Sequence, residues 1–140
     1  RSTIATFAKG GRVAFAVERA VDIERAVTFA REHGVRPIIL GGTEAWKKRE
    51  MLAAANVPVV LDPLNNLPAD FDSIGASLKS AKWLHEAGVP IAFLLGGDAA
   101  HNARKLRQAA GNAVAHGLDW NTALKAITVN PARFFGVADR

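Results

Sequence analysis

An aspartate and a histidine stand three residues apart in "FLLGGDAAHN", Phe93 to Asn102, directly after an apolar run and a pair of glycines. A carboxylate can accept a proton from water or hold a cation, and an imidazole can share either task. In parallel α/β sheets such groups gather just past the carboxyl ends of the strands, where ligands bind. Asp98 is accordingly a candidate site residue, with His101 a candidate substrate contact beside it. The competing structural reading makes Asp98 the N-cap of the following helix.

Three other places offer polar groups after apolar runs. Glu18 and Arg19 follow "RVAFAV" and face the same mouth, with Glu18 as a substrate contact or as a salt-linked prop. Thr43 and Glu44 lie in "GGTEAW", whose backbone N–H groups could cradle a substrate anion. That stretch lacks a P-loop lysine and the third glycine of a dinucleotide fingerprint, so the alternative is a tight turn capped by Thr43. Asn65 belongs to "DPLNNLPADFDS"; the connection 62–76 is long enough to act as a lid or specificity loop. His33, His85 and His116 stand beside helix-ending glycines, where the helix C-terminus accounts for them. Trp46, Trp83 and Trp120 read as helical packing residues.

A repeated unit carries these groups. "FAREHGVRPIILGG", "MLAAANVPVVLDP" and "WLHEAGVPIAFLLGG" share one order: a helical stretch, a Gly or Asn, a Val, a Pro, then an apolar run. Gly or Asn suits the left-handed position ending a helix. Proline fits the start of a strand, and a continuous apolar run fits a strand covered on both faces. The expected elements are strand 12–17, helix 22–33, strand 37–40, helix 43–55, strand 57–61, helix 77–87, strand 90–95 and helix 101–116. In the first helix Val21, Ile23, Ala26, Val27, Phe29 and Ala30 are expected to face inward, with Asp22 at its start. A further helix opens on Asp119 with Ala123, Leu124 and Ile127 inward, and Pro131 starts the last. Consecutive β-α units run parallel. Four of them make half of an eight-unit barrel, whose usual length is roughly 250 residues; an open four-stranded sheet would leave apolar edges bare.

A chain of 140 residues, 49% hydrophobic and 22% charged, is one globular domain in size and character. Its formal charge of +5 is scattered, and "WKKRE" and "ARKLR" carry no interleaved aromatics, which argues against a nucleic-acid partner. The absence of cysteine excludes disulfides and thiolate metal sites. No apolar run spans a bilayer and no signal-peptide layout opens the chain. No membrane partner and a cytoplasmic location are therefore expected.

"RAVDIERAVTFAREHGVRPIILGGTEAW", "LHEAGVPIAFLLGGDAAHNARKLRQAAGNAVAHGL" and, most specifically, "ALKAITVNPARFFGVADR" resemble the C-terminal half of the amidohydrolase superfamily, in particular its imidazolonepropionase-like branch. The likeness runs from about Arg12 onward. It implies a single partial domain over residues 1–140: the C-terminal half of a TIM (β/α)8 barrel, without the barrel's first half and the small β-sandwich. It also implies hydrolysis of C–N bonds other than peptide bonds by metal-activated water. Asp98 then falls on the family's aspartate at the end of strand eight, which implies a role as catalytic base or metal ligand. Ala16 falls where a strand-five histidine ligand stands in relatives, Glu18 on its companion histidine, and Leu40 on the strand-six histidine. Neither Ala nor Leu can bind a metal, so the resemblance implies a degenerate site. No cofactor belongs to this chain alone, and a divalent metal such as Zn requires ligands from the missing half. The expected partners are a small-molecule substrate and either that half or another copy of the chain. The alternative function is a non-catalytic α/β small-ligand-binding or assembly module on the same fold.

Overall fold

A computed structural model describes residues 10–65, 67–68, 71–95 and 104–139. Four parallel strands pair in chain order: β1 (Arg12–Val17), β2 (Arg36–Gly41), β3 (Val59–Leu61) and β4 (Ile91–Phe93). Helix α1 (Ala20–Glu32) joins β1 to β2. A 3-10 turn (Ala45–Lys48) and α2 (Arg49–Ala54) lead to β3, and a 3-10 turn (Phe71–Ser73) and α3 (Ser80–Glu86) lead to β4. Helices α4 (Leu106–Ala115), α5 (Trp120–Ile127) and α6 (Val129–Phe135) follow. The architecture is the expected one, four parallel β-α units of a partial barrel followed by terminal helices.

The repeated Gly/Asn-Val-Pro signal becomes one repeated geometry. Gly34, Asn56 and Gly88 take left-handed φ values of 64, 48 and 85°. The amide of the next valine then reaches back five residues to a helix carbonyl: Val35 to Ala30 at 3.0 Å, Val57 to Leu52 at 2.9 Å and Val89 to Leu84 at 3.0 Å. This closes orphan carbonyls at each helix end and delivers Val57 and Val89 into the core. Pro58 and Pro90 stand immediately before β3 and β4, where a missing N–H costs nothing to the helix already ended.

In-register neighbours share a face of the sheet. Ile39, Val59, Leu61, Ile91 and Phe93 face the helices and pack with Ile23, Leu52, Leu84, Ala113 and Ala123. The other face carries Ile38, Val60 and Ala92, with Leu40, Leu94 and Phe134 partly buried beside them. On α1 the buried stripe is Ala20, Ile23, Ala26 and Ala30, so Val21 and Phe29 point outward. On α5 the buried pair is Ala123 and Ala126, and Leu124 faces solvent. Apart from Ile23 the buried stripes are alanines, with Val27 and Ile127 packed against the core from their margins.

Other expectations shift in the same local way. The helix expected over 43–55 opens as a 3-10 turn, because the Glu44 amide donates to the Glu18 carbonyl (2.9 Å) and the Ala45 amide to the Gly42 carbonyl (2.8 Å). Trp46 and Trp83 pack together with centroids 4.9 Å apart, but Trp120 is 63% exposed and is not a packing residue. Asp119 caps α5, accepting the Thr122 amide at 2.7 Å, and Asp22 lies in the first turn of α1. In "WKKRE", Lys47 and Lys48 pair with Glu44 and Glu24, each at 2.6 Å. Among the described residues no helix is long and apolar enough to cross a membrane.

Candidate functional site

The loops leaving β1 and β2 are locked together by an exchange of carboxylates. The Glu18 side chain accepts the Thr43 amide at 2.9 Å and also the Thr43 hydroxyl. In return the Glu44 side chain accepts the Ala20 amide at 2.9 Å, at the start of α1, and the Lys47 ammonium at 2.6 Å. The backbone adds two links, from the Gly42 amide to the Val17 carbonyl (2.8 Å) and from the Glu44 amide to the Glu18 carbonyl. Gly41 makes the approach possible: at φ 86°, any Cβ there would overlap the Glu18 carboxylate. The Ala20 amide, then the Lys47 ammonium, hold the Glu44 carboxyl below the usual carboxylate range.

This arrangement decides between the two readings of "GGTEAW". Its Gly42, Thr43 and Glu44 amides are all engaged within the fold, which leaves no cradle for an anion. Thr43 does not cap the following turn; Glu44 holds that position without a side-chain bond, and the Thr43 hydroxyl turns to Glu18 instead.

A cavity of about 110 Å³ opens at the carboxyl ends of all four strands. Glu18, Thr43, Asp62, Asn65 and the buried Ser80 supply its polar lining, with Leu61 and Leu94 beneath. Glu44 is not part of that lining; its carboxylate lies with Ala20 and Lys47. Asp62 was not singled out from the sequence, where it reads only as the first residue of the long connection. Its Oδ1 accepts the Leu64 amide at 2.9 Å and its carbonyl the Asn65 amide at 3.1 Å, so it also shapes the start of that loop. Asp98 and His101 lie outside the described residues.

Ala16 and Leu40 are direct partners in the parallel register of β1 and β2, and Leu40 continues the register to Val60. In-register side chains of neighbouring strands share a face and stand about 4.8 Å apart, as two ligands of one metal would. Both positions are apolar. Among the described residues no group of three or more His, Cys, Asp or Glu could hold a metal ion. The described residues therefore do not fit a divalent metal centre.

The other histidines serve helix ends. His33 and His116 each place Nδ1 near the carbonyl four residues earlier, Phe29 at 2.9 Å and Asn112 at 2.8 Å. His85, in the last turn of α3, places Nε2 3.3 Å from the Thr122 hydroxyl.

No protein-family model matches the sequence. The chain is 35% identical to amidohydrolase tasK of Hapsidospora irregularis over an aligned stretch of 116 residues, which takes in 76% of this chain and 12% of that protein. In structure it matches an amidohydrolase from Thermotoga maritima MSB8 with a TM-score of 0.85 and 29% identity, over 97% of this chain and 36% of that one. The chain thus spans a minor part of each relative, and the four strands superpose on part of an amidohydrolase barrel.

Proposed function

We propose, from the premise that this chain is homologous to amidohydrolases in sequence and fold, that it forms part of a hydrolase acting on C–N bonds other than peptide bonds, of the imidazolonepropionase-like kind. The observation that carries this reading is the rim cavity itself. It sits at the carboxyl ends of parallel strands, the ligand-binding end of barrel enzymes, and is lined by two carboxylates, two hydroxyl residues and an amide side chain. Asp98 is the proposed base or metal ligand: it would take a proton from the water that attacks the substrate carbonyl and return it to the departing nitrogen. Glu18, Thr43, Asn65 and His101 are the proposed substrate contacts, and the 62–76 connection the element that selects the substrate. Glu44 contributes by holding the Glu18 loop in place.

A second reading, a small-ligand-binding or assembly module without catalysis, is favoured by the Ala16 and Leu40 pair and by the use of both loop glutamates as structural props. Turnover of N-acyl amino acids and cyclic amides, measured beside bound Zn and Mn in the full-length protein, separates the two. The hydrolase reading expects amide hydrolysis lost in Asp98→Ala while dipeptides stay uncleaved. Binding of the same compounds with no hydrolysis by the unaltered protein would overturn it in favour of the module.

A further inference from the structure

Beneath the sheet, at the N-terminal ends of the strands, a second cavity of about 330 Å³ gathers three guanidinium groups, those of Arg12, Arg36 and Arg133. Two of them are held by backbone carbonyls. Arg12 Nη1 donates to the carbonyls of Arg133 (2.6 Å) and Phe134 (2.5 Å), closing the C-terminus of α6, and Arg36 Nε donates to the Gly10 carbonyl at 2.8 Å. These bonds orient the forks, and among the described residues the Arg36 Nη pair and the Arg133 side chain have no partner. Among the described residues no carboxylate pairs with any of the three. The three side chains are solvent-exposed and together concentrate positive charge around one space, and a guanidinium fork matches a phosphate or carboxylate two bonds at a time. Apart from Asn56, the remaining wall is apolar, including Ile38, Pro58 and Phe134. The volume lies at the lower end of the roughly 300–1,000 Å³ of small-molecule sites.

We propose that this floor cavity binds a small organic anion, a phosphate or carboxylate head on a compact apolar body, with Arg36 and Arg133 gripping the head and Phe134 and Ile38 contacting the body. It lies at the opposite ends of the strands from the rim cavity and does not depend on the hydrolase reading.

Thermal unfolding and isothermal titration of the 140-residue chain test this with phenyl phosphate, inorganic phosphate and sodium chloride at equal ionic strength. Phenyl phosphate is expected to raise Tm above the chloride control and to bind more tightly than inorganic phosphate. Arg133→Gln is expected to weaken phenyl phosphate about tenfold, the loss of roughly one charge-assisted bond, with its ligand-free Tm unchanged because that side chain makes no bond within the described fold. Arg36→Gln is expected to do the same, and Arg133→Gln still decides the matter if losing the Gly10 contact unfolds the Arg36 variant. No stabilisation by phenyl phosphate beyond chloride, or equal binding by Arg133→Gln, overturns the proposal.

Discussion

The carboxylate of Glu44 answers two donors at once, the Ala20 amide at the head of α1 and the Lys47 ammonium. Because these hold its folded pKa below the ordinary value, its charge stabilises the fold above the unfolded carboxyl's pKa, and that stabilisation is lost as pH falls through the depressed folded value. Glu44→Ala is expected to lose about 1 kcal/mol at neutral pH, the worth of a helix-start acceptor. In urea titrations its gap from the unaltered chain should shrink as the pH is lowered through the acid range; a gap independent of pH would refute the assignment. Gly41 and Glu18 form a second test. Gly41→Ala is expected to cost about 1–3 kcal/mol from the left-handed φ and the overlap with the carboxylate. In a Glu18→Ala background part of that cost should vanish, giving a coupling in a double-mutant cycle, whereas full additivity would mean strain alone. None of this was legible in the sequence: Glu18 and Thr43 are 25 residues apart, and only the parallel register brings their loops into contact. The rim positions of Glu18, Thr43 and Asn65 were legible, because polar residues after apolar runs fall there, but Asp62 was hidden by the Asn- and Pro-rich loop it opens and Ser80 by the helix it starts.

Elements were most legible where backbone chemistry forces a stop. Gly34, Asn56 and Gly88 announce left-handed helix ends, and the valine that follows each makes the same reach back into the helix. At Gly88 nothing lies within 4 Å of an added Cβ. Gly88→Ala should therefore cost only the left-handed strain, about 1–2 kcal/mol, and a much larger loss in thermal or urea unfolding would reveal packing that the geometry does not contain. Helix faces were less legible. Hydrophobicity put Val21, Phe29 and Leu124 inward, yet the buried stripes are mostly alanines with Ile23, and the periodic signal cannot distinguish such a stripe from its larger neighbours. Helix α6 shows what periodicity cannot give at all. Asn130 Nδ2 donates to the Ile91 carbonyl at 2.8 Å, fastening α6 to β4. Asn130→Ala leaves that carbonyl unpaired in a partly buried position and is expected to lose about 1–3 kcal/mol, whereas a variant as stable as the parent would show that water replaces the bond.

The sheet's two edges meet solvent differently. At β4, α6 supplies Asn130 to the strand and Phe134 to the face carrying Ala92 and Leu94. At β1, no described strand pairs with the outer edge, and Arg12, Ala14 and Ala16 alternate as exposed residues along it. The sequence made four parallel units countable, but chain order alone does not say which edge a terminal helix will cover. Unpaired strand edges bearing small apolar side chains invite another strand, and natural edges are guarded by charge. We propose that in isolation the 140-residue chain associates through β1 with a second copy, in concentration-dependent fashion, and that Ala14→Lys with Ala16→Lys shifts it to monomer without lowering Tm. Sedimentation velocity over a wide concentration range reads this directly. A parent chain that stays monomeric throughout would overturn the proposal, and a doubly substituted chain that associates equally would place the contact elsewhere.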